Sequence, residues 1–169
     1  MTFWRNYYHL VWATKDREHL ITAELEKDLY AYIVSKSDEI GIIIYAINGW
    51  YDHTHLVGAI PPKLAVAEGV KKLKGASSFF VNHVIKPEGE RFGWQRGYGC
   101  LSVGEKQRPI AIAYVENQKK HHADENTNAW LERYDEVDEG PTDFGISGKR
   151  KGVKEDQADY QVHVDPFPF

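Results

Sequence analysis

In RNYYHLVWATK (residues 5–15), Tyr8, Leu10 and Trp12 fall on one parity and His9, Val11 and Ala13 on the other, a period of two that predicts a strand with two fairly apolar faces. The period then changes. In TAELEKDLYAYIVSKSDEI (22–40), Leu25, Leu29, Tyr32 and Ile33 recur at helical spacing, Thr22 is placed as N-cap, acids fill the first turns and Gly41 ends the run, so a helix is predicted from Thr22 to about Ile40. IIIYAINGW (42–50) and THLVGAI (54–60) return to strand-like runs. The short turn from Gly49 to Asp52 makes them antiparallel neighbours, and Pro61 and Pro62 stop the second. A second helix is predicted from Ala65 to about Val84, turning Val66, Val70, Leu73, Phe80 and Val84 inward. RFGWQRGYG (91–99) reads as a loop, CLSVG as a fourth strand, and Pro109 to about His122 as a last helix whose proline suits the first turn.

The order strand, helix, strand, strand, helix, strand, plus a terminal helix, predicts an α+β fold of the ferredoxin-like (RRM-like) kind: an antiparallel sheet with helices packed on one face. That architecture hosts many functions, so it selects none. At 169 residues the chain suffices for one core. Periodicity dissolves after His122, which divides the chain into a body over 1–125 and an acidic extension over 126–169 that drapes over the body, pairs with a partner or is partly disordered.

Charge sharpens this division. The net charge of −4 averages residues 1–122, with 16 Lys+Arg against 13 Asp+Glu, and residues 123–169, with 5 against 12. A mildly basic body is compatible with a phosphate-bearing partner, since binding follows local charge. No apolar run reaches the roughly 18 residues a membrane span needs, and no signal-like start is present, so a cytoplasmic protein without a membrane partner is expected. The single cysteine, Cys100, excludes an internal disulfide and is expected to be a small buried residue.

Within this frame DHTHL (52–56) stands out, because a strand there turns His53 and His55 to the same face. Two neutral imidazoles side by side are a plausible pair of metal ligands, and equally a hydrogen-bonded pair at a sheet edge. In the last helix Tyr114 and Gln118 are four apart and share a face.

INGWYDHTHLVGAIPPK, VKKLKGASS, FGWQRGYG followed by LSVG, and YVENQKKHH, in that order, resemble the single-tyrosine HUH transposases of small insertion sequences that move as single-stranded DNA, including relatives associated with repetitive extragenic palindromes. The resemblance covers about residues 5–125. It implies a ferredoxin-like sheet carrying a C-terminal catalytic helix, a homodimer, Mg²⁺ or Mn²⁺ held by His53, His55 and Gln118, no small-molecule cofactor, and Tyr114 as the nucleophile that attacks a DNA phosphodiester. The implied activity is metal-dependent cleavage and rejoining of single-stranded, hairpin-forming DNA through a 5′-phosphotyrosine. Thr54 departs from the family's bulky residue between the histidines, and GWYDH replaces the usual turn before them.

Lys63, Lys71, Lys72, Lys74 and Arg96 are candidates for contacts with the DNA backbone, beside the simpler reading of solvated surface residues. Trp50, Tyr51, Trp94, Gln95, Ser77 and Ser78 are weaker candidates, and KRK at 149–151 reads as a solvated loop. Two other functions fit the same residues: a binding module for single-stranded DNA or RNA that does not cleave, and a zinc hydrolase using His53, His55 and His121 or His122.

Overall fold

Strands β1 (Tyr7–Ala13), β2 (Ile43–Trp50), β3 (His53–Ala59) and β4 (Gly99–Val103) form one antiparallel sheet in the order β2-β3-β1-β4. This is the predicted ferredoxin-like topology. The computed structural model describes residues 2–86, 90–129 and 131–133; the chain divides after Asp138, and all of these residues belong to the first unit. The rest of the predicted extension, KRK at 149–151 included, lies outside the described residues.

Helices α1 (Ala23–Glu39) and α2 (Val66–Phe80) cover one face of the sheet. As predicted, the Thr22 side chain caps α1 by accepting from the Leu25 amide, and Gly41 ends the turn after it with φ of 78°, a conformation that favours glycine. Leu10, Trp12 and Leu56 from the sheet pack against Leu25, Leu29 and Ile33 of α1 and Val70 and Leu73 of α2. Burial of each such aliphatic side chain contributes about 1.5–3 kcal/mol. The end of α2 continues as a wider π turn over Val81–Ile85.

Cross-strand pairing of Val11 with His55 and of Ala13 with His53 sets the other face. There a smaller cluster of Ala46, Val57 and Val115, with Ala111, Ile112 and Tyr114 against it, packs helix α3 (Arg108–Glu116) over β2 and β3. The single helix predicted to run to His122 is instead two, α3 and a short α4 (Gln118–Ala123), separated at Asn117. Asn117 has φ −94° and ψ 13°, and its side-chain amide donates to the Ala113 carbonyl at 2.7 Å, beside the backbone bond from its own N–H at 3.1 Å. Beyond the break, Lys119 pairs with Glu26 of α1 and fixes α4.

Cys100 does not meet the expectation of burial. It is exposed, because β4 is an edge strand. Among the described residues no helix is long and apolar enough to cross a membrane.

Candidate active site

His53 and His55 sit two apart on β3 with their side chains fully buried on the face that α3 covers. Thr54 between them points to the opposite face, where its hydroxyl lies 3.4 Å from that of Tyr30, so a polar residue is accommodated there. Each imidazole is oriented through Nδ1. That of His53 donates to Asp52 Oδ1 at 2.6 Å, and Asp52 Oδ2 in turn accepts from Arg17 Nε and Nη2, each at 2.8 Å. Arg17 reaches Asp52 from a tight turn in which Asp16 and Arg17 adopt φ of 54° and 56°. His55 Nδ1 lies 2.9 Å from Nε2 of His9, the rings stacked at 5.1 Å.

The electrostatics follow from burial and these partners. Burial opposes the charge of Asp52, but His53 and Arg17 outweigh it and hold the carboxyl below its ordinary range. Burial also opposes a charged His53, yet Asp52 and a second carboxylate raise it above the ordinary imidazole value. His55 is lowered, chiefly by burial. Burial, with repulsion from His55, holds His9 down at about 3, so it is neutral.

That second carboxylate is Glu132. Its Oε2 lies 3.0 Å from His55 Nε2 and 3.2 Å from His53 Nε2, and its Oε1 accepts from the Tyr114 hydroxyl at 2.5 Å and faces Gln118 Nε2 at 3.5 Å. The four residues singled out from the sequence therefore converge, and they do so on a residue that was not singled out. Burial opposes the charge on Glu132, but hydrogen bonds from both histidines hold it well below the ordinary carboxylate range. Burial and the Glu132 bond push the Tyr114 hydroxyl up. The Asn128 amide donates to the same hydroxyl at 3.2 Å.

His121 and His122, consecutive on α4 beyond the break at Asn117, point in different directions. His121 stacks on Tyr114, ring centroids 4.8 Å apart, whereas His122 Nε2 lies 3.1 Å from His53 Nε2 and its ring stacks on Trp50 at 5.0 Å. His122 belongs to the cluster, and His121 supports the tyrosine. Asp52 and His9 were also missed: the DH dipeptide was visible, but the role of its acid depends on Arg17, far away in sequence.

The basic candidates lie elsewhere. Lys71 and Lys72 are exposed on α2, the helix on the opposite face of the sheet, and Lys63 is exposed just before it. Lys74 donates to the carbonyls of Gln95, Arg96 and Gly97, each at 2.8 Å, so its ammonium fixes the loop that presents the exposed Arg96. Ser77 accepts from Trp94 Nε1 and Ser78 donates to the Phe92 carbonyl, which gives all three side chains packing partners inside that loop.

The site suits a divalent cation. Gln118 Oε1 is buried and has no hydrogen-bond partner among the described residues, an arrangement that costs about 1–3 kcal/mol unless something polar satisfies it. Beside it stand two imidazoles whose Nδ1 atoms are engaged, leaving Nε2 for an ion. His53, His122 and Glu132 each bring a ligand-type atom within 4.8 Å of the others.

The family model described as "Transposase IS200 like" matches residues 2–118. The ISDra2 transposase TnpA of Deinococcus radiodurans is 30% identical over 115 residues, covering 66% of this chain and 82% of that protein. The transposase for insertion sequence element IS200 of Salmonella typhimurium is 28% identical over 130 residues, covering 74% and 82%. A crystal structure of a transposase from Deinococcus radiodurans R1 superposes with a TM-score of 0.54 at 29% identity, over 70% of this chain and 95% of that one. A REP-associated tyrosine transposase bound to a REP hairpin shares the fold, with a TM-score of 0.54 at 13% identity over 77% and 76%. With the match running from the first strand to Gln118, through the histidine pair and Tyr114, the chain belongs to the IS200-like transposase family.

Proposed function

We propose that the protein is a metal-dependent single-stranded DNA transposase, an endonuclease and strand transferase that acts at hairpin-associated sites through a 5′-phosphotyrosine on Tyr114. The observation that carries this reading is the convergence of one phenol, two imidazoles and one amide on a single carboxylate, from three separate elements of a family transposase. The hairpin held by the REP-associated transposase of the same fold supports the substrate class.

His53, His55 and Gln118 would hold Mg²⁺ or Mn²⁺, which when bound offsets the charge of the phosphate oxygens and orients the scissile phosphate. Asp52 and His9 fix the two imidazoles from behind, so little order has to be gained on binding. Tyr114 Oη attacks phosphorus; its bond to phosphorus forms as the bond to the 3′-oxygen breaks, the phenol proton leaves Oη, and the departing 3′-oxygen takes one up. A phenol is also a good leaving group, so a DNA 3′-hydroxyl can reverse the step and join a new strand. His121, stacked on the ring, and the Asn128 amide hold Tyr114 in place.

Lys63, Lys71, Lys72 and Arg96 would contact the backbone of the DNA away from the reacting phosphate, with Lys74 holding the Arg96 loop. A cytoplasmic homodimer is the assembly this reading expects. In the folded chain the tyrosine and the histidines already meet without a partner residue. The test uses single-stranded oligonucleotides that carry the hairpins flanking the gene. Cleavage that requires Mg²⁺ or Mn²⁺ and stops with chelator is expected; tight, salt-sensitive binding with no strand break under any metal would favour the non-cleaving binding module.

A further inference from the structure

We propose that Glu132 is a protein ligand of the metal, joined by His122, and that the same carboxylate ties the ion to the nucleophile. The proposal rests on the reading of His53 and His55 as metal ligands and adds to it two residues from beyond the family match, which ends at residue 118. Six ligands around Mg²⁺ or Mn²⁺ at about 2.1 Å place neighbouring ligand atoms about 3 Å apart and opposite ones about 4.2 Å apart. The separations in the cluster follow this pattern. Glu132 Oε2 is 3.0 Å from His55 Nε2 and 3.2 Å from His53 Nε2, His122 Nε2 is 3.1 Å from His53 Nε2, and His122 Nε2 is 3.9 Å from Glu132 Oε2. Ligand atoms of His53, His122 and Glu132, from β3, α4 and the segment after α4, thus stand as ligands of one ion would stand.

Hydrogen bonding alone accounts for these contacts, the His53–His122 pair included, but it leaves one fact over: the buried Gln118 oxygen has no partner among the described residues. An ion beside it satisfies that oxygen. The backbone is also shaped to bring Glu132 in. A Cβ on Gly99 would lie 2.1 Å from the carbonyl oxygen of Arg133 and 2.7 Å from Val11 Cγ1, so only glycine lets the segment after Asn128 lie against β4. With Oε2 towards the ion, Oε1 remains on the Tyr114 hydroxyl at 2.5 Å.

A carboxylate has two consequences. It holds a hard divalent cation more firmly than neutral ligands do, and it leaves less net positive charge for the phosphate. The first makes Glu132 a device for keeping the ion in place before DNA arrives.

The experiment titrates Mn²⁺ into the full-length protein without DNA, by calorimetry and by electron paramagnetic resonance, for the wild type, Glu132→Gln and His53→Ala. Glu132→Gln keeps the size of the side chain and one acceptor oxygen while removing the charge, and thermal melting confirms that each variant is folded. The wild type is expected to bind one Mn²⁺, with at least a tenfold loss of affinity and an altered resonance spectrum in Glu132→Gln. Unchanged affinity and spectrum in Glu132→Gln, with binding still lost in His53→Ala, would overturn the role of Glu132 and leave the histidine site standing. Absence of Mn²⁺ binding by the wild type would overturn the metal reading itself, and this proposal with it.

Discussion

At the scale of single residues, the site is a set of side chains each held from behind. Asp52 is the clearest case, since it spends one oxygen on His53 and the other on Arg17. Replacing it with alanine removes the group that orients His53 and leaves Arg17 without its carboxylate. Outer partners of this kind are worth about 10–100-fold in metal affinity or activity. Asp52→Ala is therefore expected to cut cleavage by about that factor while single-stranded DNA binding persists, as cleavage and binding titrations on one oligonucleotide would show. What the sequence disclosed at this scale was what short-range spacing can carry: two histidines on alternate strand positions, and a tyrosine and glutamine one helical turn apart. Glu132 and His9 were hidden for the opposite reason. One is a single acid among many in an acidic segment, the other a histidine in a strand with no neighbouring signal, and each gains its role only through contacts spanning 77 and 46 positions.

At the scale of elements, periodicity located the strands and helices well, because each buries an apolar face at its own period. It missed the break between α3 and α4, since Asn117 falls within an otherwise continuous helical pattern and the side-chain bond to Ala113 that stabilises the break is invisible to periodicity. The break matters because it sends His121 to Tyr114 and His122 to His53. The loop from Trp94 to Gly97 shows a similar economy: one lysine satisfies three carbonyls that glycine-rich backbone would leave to solvent. Lys74→Met removes these bonds but keeps the stem. Hydrogen bonds to a charged group are worth about 1.5–3 kcal/mol, so a loss of stability of about that size is expected in urea unfolding, together with faster amide exchange across the loop. A further prediction concerns Gly99. Even the Cβ of Gly99→Ala would meet the Arg133 carbonyl and Val11, and overpacking of this kind costs about 1–3 kcal/mol. Amide exchange near Asn128 and Glu132 should accelerate in this variant, and unchanged protection there would show that the segment does not depend on the glycine.

At the scale of the whole molecule, the sheet separates two groups of residues. The face under α3 carries the cluster around His53, His55 and Tyr114, and α2 on the other face carries exposed lysines. The net charge of −4 gives no hint of this, because the acidic C-terminal part outweighs a body in which basic residues prevail. If Lys71 and Lys72 contact the DNA backbone, removing both should lower the slope of log affinity against log salt by about 1.4, from about 0.7 per phosphate contact on a single strand. An unchanged slope would place the DNA path elsewhere. Covalent joining of Tyr114 to DNA is tested most directly by mass spectrometry of the protein after reaction with a single-stranded hairpin substrate and Mn²⁺, digestion, and mapping of the modified peptide. A nucleotide joined through phosphate to Tyr114 is expected, absent with chelator and absent in Tyr114→Phe although that variant still binds the strand. Cleaved DNA with Tyr114 unmodified, or cleavage undiminished in Tyr114→Phe, would contradict that expectation.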